Sequence, residues 1–264
     1  MSSNADAKVL VEDVSVDYVT VEGVTRAIQQ VNLGLAEGEF VALVGPSGCG
    51  KSTLLSLVAG LLEPTSGRVT IDTREVKGPS RRVGYMLQED YLFPWRDILS
   101  NVTLGLEVQG RLNSETREKA RGLLEKYGLG EFVHHRPHQL SGGMRQRVAL
   151  IRTLATDPDV LMLDEPLSAL DYQTRLTLQE EMAHILREEN KTVLLVTHNI
   201  HEAVSMSDRV LVMTKRPGTI KRSYDIPTGR DIISETHLSE YVGRIWDDLD
   251  RSTPETVEPG GENE

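Results

Sequence analysis

The sequence predicts an α/β fold with a parallel sheet at its core, an antiparallel β subdomain and an inserted helical subdomain. Three observations predict it: short apolar runs recur along the chain, helical patterns separate them, and a glycine-rich phosphate-loop motif directly follows the first of these runs. Strands that alternate with helices form parallel sheets, because each crossover helix returns the chain to the same edge.

Two kinds of strand are expected. Residues 9–19 alternate between apolar and polar side chains, as in an antiparallel strand with one face in water. Four other runs are continuously apolar, which is typical of parallel strands covered on both faces. These runs are residues 40–44, 83–87, 160–163 and 193–196.

Helical patterns fill the intervals between these strands. They span residues 52–59, 114–127, 144–156 and 174–189, and a Gly or Pro follows closely after each of the first three. The stretch 89–157 has mainly helical sequence and no convincing buried strand. We interpret it as a helical subdomain inserted into the α/β core.

Composition limits the class of protein. The 264 residues carry a net charge of -11, and residues 245–264 alone contain seven acidic side chains and one Arg. A net acidic surface disfavours a broad nucleic-acid interface. One Cys, no secretory signal and no apolar run near the roughly 20 residues of a membrane-spanning helix indicate a cytosolic protein whose membrane partners, if any, are other chains.

A phosphate-binding loop fits the pattern G-x-x-x-x-G-K-[ST]. Glycines let backbone N–H groups approach phosphate oxygens, the lysine supplies charge, and the serine hydroxyl is placed to bind Mg²⁺ at a helix N-terminus. A simple glycine-rich turn is the alternative, and the strand before and helix after the motif disfavour it. The predicted ATP-binding residues here are Gly45, Pro46, Ser47, Gly48, Cys49, Gly50, Lys51, Ser52 and Thr53.

Two carboxylates follow the apolar run 160–163. Asp164 and Glu165 should emerge at the carboxyl end of a central strand, where α/β sheets bind their ligands. Asp164 is predicted to orient Mg²⁺, together with Ser52. Alone, the pair could equally open a solvated turn before Pro166; behind a phosphate loop the metal role is favoured.

A second anion-binding helix start lies at Leu140-Ser141-Gly142-Gly143-Met144-Arg145-Gln146-Arg147. Ser141 and the two glycines precede the helical pattern from residue 144. One chain therefore has two phosphate cradles but one lysine-bearing loop. A head-to-tail dimer, in which residues 140–143 of one subunit close over nucleotide held by the other, explains both.

With these motifs in order, residues 8–215 resemble the ATPase subunits of ABC transporters, with the helical subdomain at about 89–157. The resemblance implies a P-loop, RecA-like core, with ATP and Mg²⁺ as cofactors. It also implies that residues 216–251 are a C-terminal extension and leaves 252–264 as an acidic tail that we expect to be disordered.

The resemblance assigns roles to further positions. It implies that Glu165 is the catalytic base, that His198 hydrogen-bonds the γ-phosphate, and that Gln88 contacts Mg²⁺ and the attacking water. The segment 168–171, ending in Asp171, would reach the partner's nucleotide with Ser141, Gly142 and Gly143. Tyr18 would stack on adenine, although a place in the core is an alternative for this aromatic residue.

The strings LFPWRDILSNV, SALDYQTRLTLQEEM and THNIHEAVSMSDRV look most similar to the nitrate, sulfonate and taurine importer group. The resemblance then implies a homodimer, or pairing with a similar ATPase, on the cytoplasmic face of the inner membrane. Its partners would be integral membrane permease subunits and, indirectly, a periplasmic or lipid-anchored substrate-binding protein. A soluble ABC ATPase outside transport and a non-hydrolytic nucleotide sensor are the rivals.

Three weaker signals remain. Residues 92–95, Leu-Phe-Pro-Trp, gather apolar side chains that either form a groove for a permease helix or pack within the helical subdomain. His134, His135 and His138 are interpreted as loop residues without a metal. Cys49 stands at a helix N-terminus, which should lower its pKa and make thiol alkylation block ATP binding.

Overall fold

Two β-sheets and a group of helices make up the part of the chain that the computed structural model describes, residues 7–21, 23–227 and 235–250. The predicted α/β fold is confirmed, with one antiparallel and one mainly parallel sheet. The predicted tail 252–264 lies outside the described residues. No helix in the described ranges is long and apolar enough to cross a membrane.

The antiparallel sheet has the strand order β2-β1-β4-β5. The alternating pattern 9–19 lies within β1, whose apolar side chains Val9 and Val11 are buried while their polar neighbours are more exposed. Alternation of this kind buries one face of the sheet. The strands are β1 (Ala7–Thr20), β2 (Gly23–Ala36), β4 (Ser66–Ile71) and β5 (Arg74–Glu75).

The second sheet has the order β10-β9-β3-β8-β7-β6, and its strands are parallel except for β10, which pairs antiparallel with β9. Every residue of β3 and β8 is buried, as expected for strands covered on both faces. The strands are β3 (Phe40–Val44), β6 (Val83–Met86), β7 (Val160–Asp164), β8 (Thr192–Val196), β9 (Arg209–Met213) and β10 (Ile220–Asp225).

The four predicted helices are present, with ends displaced by one or two residues. They are α1 (Lys51–Val58), α4 (Ser114–Lys126), α5 (Gly142–Leu154) and α6 (Tyr172–Glu188). Residues 89–157 contain helices and 3-10 turns but no strand. Four helices have no counterpart among the predicted ones: α2 (Ile98–Val102), α3 (Leu104–Val108), α7 (Ile200–Met206) and α8 (Glu235–Asp250).

Two apolar cores lie on opposite faces of the parallel sheet. Phe40, Ala42 and Val44 of β3 face the core shared with α5, α6 and the inserted helices, whereas Val41 and Leu43 face α1 and the antiparallel sheet. Because β3, β7 and β8 are parallel neighbours, their carboxyl ends lie side by side. The loops that follow these strands are therefore held at one edge of a rigid sheet.

Candidate functional site

The loops after β3 and β7 meet in a cavity of about 270 Å³ at the carboxyl edge of the parallel sheet. This position is where open α/β sheets bind ligands. The phosphate loop follows β3 and continues into α1, and Glu165 follows β7. The cavity is lined by Ser47, Gly48, Gly50, Lys51, Ser52, Thr53, Glu165 and Arg216.

Backbone conformation explains the glycines of the loop. Gly48 and Gly50 have φ angles of +73° and +107°, which residues other than glycine rarely adopt. A Cβ on Gly50 would lie 2.3 Å from Cγ2 of Ile28. Position 50 therefore excludes any larger residue on steric as well as conformational grounds.

Lys51 lies folded back along the phosphate loop. Its side chain is buried, and Nζ donates to the carbonyl oxygens of Gly45 at 2.8 Å and Pro46 at 3.1 Å. These bonds satisfy an ammonium group that burial would otherwise penalise. The same hydrogen bonds hold the positive charge of Lys51 at the cavity, which Lys51 lines together with neighbouring residues of the loop.

Asp164 ends β7 and faces the first turn of α1. The Ser52 hydroxyl donates to Asp164 Oδ1 at 3.3 Å, and the Tyr85 hydroxyl donates to Oδ2 at 3.1 Å. Burial raises the pKa of Asp164 and outweighs these two hydrogen bonds, which favour the carboxylate. The hydroxyl and carboxylate oxygens are the hard donors that Mg²⁺ prefers, so Ser52 and Asp164 fit this ion.

Glu165 lies beside His198, which follows β8. The Glu165 carboxylate oxygen Oε2 is 2.9 Å from His198 Nδ1. The backbone of Glu165 has φ +47°, a left-handed conformation that costs about 1 kcal/mol for a residue with a side chain. Two hydrogen bonds hold it there: Glu165 N–H donates to the Val196 carbonyl, and the Ser168 hydroxyl donates to the Glu165 carbonyl.

Gln88 and Tyr18 make contacts at the margins of this arrangement. Gln88 Nε2 donates to Ser168 Oγ at 3.1 Å, which connects the end of β6 to the loop behind Glu165. Tyr18 is 42% exposed and therefore does not belong to the core, and its hydroxyl lies 3.2 Å from Thr53 Oγ1. Tyr18 is thus anchored to the phosphate loop with an accessible ring.

The predicted trans residues occupy a different place. Ser141 caps the N-terminus of α5 by accepting from Met144 N–H at 3.3 Å, and Asp171 caps α6 by accepting from Thr174 N–H at 3.1 Å. The hydrogen bond from this backbone N–H lowers the pKa of Asp171. Both caps leave helix N-termini that favour anions.

Gly142 and Gly143 let α5 approach the next segment closely. A Cβ on Gly143 would lie 2.9 Å from Thr174 Cγ2, and one on Gly142 would lie 3.3 Å from Leu170 Cδ2. None of the four predicted trans residues lines the phosphate cavity; Ser141 and Gly143 instead line a second one of about 300 Å³. Within one chain the structure keeps the two cradles apart.

Cys49 corrects an expectation. Its side chain is 1% exposed, and burial raises its pKa more than the nearby Lys51 and backbone N–H groups lower it. The predicted lowering at the helix N-terminus was therefore wrong. Burial is a tertiary effect that the position in the motif does not reveal.

Residues 92–95 are partly buried and partly exposed, so each of the two interpretations, packing in the helical subdomain and a groove for a permease helix, fits some of them. Leu92 is buried, whereas Trp95 is 66% exposed and stacks on Phe93 with ring centroids 4.9 Å apart. One part of this segment packs inside the helical subdomain and another part stays accessible.

Tyr85 and Arg216 are two residues at the site that no sequence motif indicated. Tyr85 lies inside a predicted apolar strand, and only its contact with Asp164 distinguishes it from a packing residue. Burial and the neighbouring carboxylate raise its pKa, so the hydroxyl remains a proton donor at neutral pH. Arg216 belongs to no motif, and no sequence signal places it at the cavity.

Known proteins with similar sequences are ATP-binding proteins of ABC transporters. A family described as ABC transporter matches residues 28–168. An uncharacterised ABC transporter ATP-binding protein, YtlC of Bacillus subtilis, is 48% identical over 82% of this chain and 84% of its own length. A taurine import ATP-binding protein, TauB of Yersinia pestis, is 45% identical over 77% of this chain and 80% of its own length.

Solved structures of related proteins have folds similar to that of this chain. The dimeric, post-hydrolysis ATP-binding cassette MJ0796 bound to ADP and Pi has a TM-score of 0.71 and 34% identity, and covers 83% of this chain and 98% of its own. A second relative is cbiO1 of Clostridium perfringens, part of the ABC transporter complex cbiONQ. It has a TM-score of 0.76 and 25% identity, and covers 93% of this chain and 98% of its own.

Proposed function

Because this chain belongs to the ABC transporter family and is an ATP-binding ATPase subunit, we propose that it powers an importer of a small anion or sulfonate-type solute. The solute class is nitrate, an aliphatic sulfonate, taurine or a similar compound, carried through a separate permease. The observation that carries the ATPase half is the meeting of the phosphate loop, Asp164, Glu165 and His198 at one sheet edge.

Support for the solute class comes from relatives. Several similar proteins are named taurine import ATP-binding proteins, with identities of 42–45%. The residues that resemble the importer group are 92–102, 168–182 and 197–210, which include α2, the first part of α6 and the whole of α7. The alternative of an ABC ATPase outside transport has no comparable support.

For hydrolysis, we assign the metal side of the site to Ser52 and Asp164, with Gln88 near the attacking water. Mg²⁺ bound there would neutralise charge on the β- and γ-phosphates. Lys51 and the backbone of the loop hold the triphosphate. Asp164 keeps its orientation because Tyr85 and Ser52 donate to separate carboxylate oxygens.

Glu165 is assigned as the base that accepts a proton from water, and His198 as the group that holds the γ-phosphate and orients Glu165. Their 2.9 Å contact supports this pairing, because it fixes the carboxylate relative to the cavity. The strained backbone at Glu165 is consistent with a side chain held for function.

The composite site is assigned to two copies of the chain. Ser141, Gly142 and Gly143 lie away from the chain's own phosphate cavity, so they are free to bind the nucleotide of a partner subunit, with Asp171 beside it. The dimeric MJ0796 cassette is a solved precedent for pairing among relatives. ATP would thus join the subunits and hydrolysis release them.

We place the protein at the cytoplasmic face of the inner membrane, bound to integral permease subunits and served indirectly by a substrate-binding protein. The exposed Trp95 and its stacked neighbour Phe93 give an apolar surface for a permease helix. No nucleic-acid partner is assigned.

Uptake of nitrate, taurine and aliphatic sulfonates in a strain that lacks this protein tests the proposal. Wild-type protein should restore uptake of one of these solutes, and Glu165→Gln should be expressed equally but fail to restore it. If wild-type protein hydrolyses ATP but its loss changes the uptake of none of the panel, the solute class is wrong. If it neither binds nor hydrolyses ATP, the assigned site is wrong.

A further inference from the structure

The turn between β9 and β10 is hydrogen-bonded to β2 and lies directly against the phosphate loop. Gly218 N–H donates to the Ala27 carbonyl at 2.9 Å, and the Gly218 carbonyl accepts from Gln29 N–H at 3.0 Å. A Cβ on Gly218 would lie 2.0 Å from the Cys49 carbonyl oxygen. The turn and the loop are therefore in backbone contact, and a residue in this turn has a defined position relative to the cavity.

Arg216, in that turn, reaches the cavity itself. Its Nε donates to the Gly48 carbonyl at 3.1 Å, and its guanidinium lines the cavity beside Ser47, Lys51 and Glu165. Within the described ranges, the terminal nitrogens of Arg216 make no hydrogen bond or ion pair. A guanidinium has five N–H donors, so most of them remain available to a ligand.

A second positively charged side chain, besides Lys51, lines the cavity. Among its lining residues, Lys51 and Arg216 are positive and Glu165 is negative. Lys51 already donates to two loop carbonyls. A triphosphate bound there would meet a buried, partly engaged ammonium on one side and an accessible guanidinium on the other, and guanidinium matches phosphate oxygens in a forked geometry.

We propose that Arg216 is a further phosphate-binding residue, which uses its bond to the Gly48 carbonyl to hold the guanidinium against the phosphate chain of ATP. The inference rests on the proposed ATP site and adds a cation supplied from the β9–β10 turn. The Gly48 bond orients the side chain, and the free nitrogens donate to the nucleotide.

Equilibrium binding of ATP by calorimetry in EDTA, where hydrolysis is absent, tests this role. Arg216→Gln should weaken ATP binding roughly tenfold, since a charge-assisted hydrogen bond is lost. Arg216→Lys should lose about threefold, because the charge remains without the fork. Lys215→Ala is the matched control: this exposed neighbour does not line the cavity, and its loss should leave affinity unchanged.

Salt dependence separates phosphate binding from a purely structural role. Gln can still donate to the Gly48 carbonyl, so a residue that only braces the loop would be rescued by Arg216→Gln. If Arg216 binds phosphate, wild-type affinity for ATP should fall more steeply with added NaCl than that of Arg216→Gln.

Wild-type affinity in Arg216→Gln would overturn the proposal, as would a defect confined to dimer formation. Such results would leave the ATP site intact if Lys51→Ala still lost ATP affinity by at least about tenfold. Failure of the wild-type protein to bind ATP would instead overturn the site as a whole.

Discussion

Replacement of Glu165 by Gln should stop hydrolysis while preserving the fold and the nucleotide cradle. The amide has nearly the same volume and can keep a hydrogen bond to His198 Nδ1, which now lies 2.9 Å from the carboxylate. The conformational free-energy cost of φ +47° at position 165 is the same for Glu and Gln, and the backbone hydrogen bond to Val196 is unchanged. The free energy of unfolding should therefore change by less than about 0.5 kcal/mol.

The catalytic loss should be far larger. A positioned general base contributes about 10²–10⁴-fold to the rate, equivalent to about 3–5 kcal/mol of transition-state stabilisation. An amide cannot accept the proton, so kcat should fall by at least about 100-fold. The Kd for ATP should stay within about threefold, because Lys51 and the loop glycines are untouched.

Phosphate release at saturating Mg-ATP measures the rate, calorimetry the affinity, and light scattering the mass. With Mg-ATP, Glu165→Gln should accumulate as a dimer that wild-type protein forms only transiently. Glu180→Gln, an exposed carboxylate on α6, is the matched control and should hydrolyse ATP normally. If kcat for Glu165→Gln were within about threefold of wild type, Glu165 would not be the base.

Four further outcomes are expected. Lys51→Ala should lose ATP affinity by at least about tenfold in a titration, because the buried charge at the cavity is removed; unchanged affinity would contradict the phosphate site. In the Glu165→Gln background, Ser141→Arg should bind ATP as a monomer yet form no ATP-dependent dimer by light scattering, and dimers at the level of Glu165→Gln alone would exclude Ser141 from the interface. Cys49, buried and with a raised pKa, should be alkylated much more slowly than the same thiol in urea, as followed by mass spectrometry; equal rates would contradict its burial. Although burial alone would raise the pKa of Asp248, the hydrogen bond from Tyr224 at 2.6 Å and nearby cationic side chains lower it, so this bond should stabilise the protein above the unfolded pKa and be lost as pH falls. Asp248→Asn should therefore lower stability by about 1–2 kcal/mol at pH 7 and flatten its pH dependence below about pH 5 in urea titrations; an unchanged unfolding midpoint at pH 7 would refute this.

Elements with a strong local signal were predictable, and short or mixed ones were not. The five-residue helices α2 and α3 are too short to display a helical period, and their existence depends on packing under α5. β2 carries Thr25, Arg26 and Gln29 among its apolar residues, and its partner β1 defines it as a strand. A sequence pattern indicates the intrinsic conformational preference of a segment. In contrast, α2, α3 and β2 form because neighbouring elements pack against them or pair with them.

The sequence by itself determined the class of fold, the family and the chemistry of the phosphate loop. These properties depend on residues close together in the chain, where spacing specifies backbone geometry: Gly50 needs its positive φ and Lys51 follows it directly. Tertiary structure alone decided that Tyr85 donates to Asp164, that Arg216 reaches the cavity and that the Cys49 pKa rises. Each of these effects depends on desolvation or on contact between residues distant in the chain, and neither is encoded in local spacing.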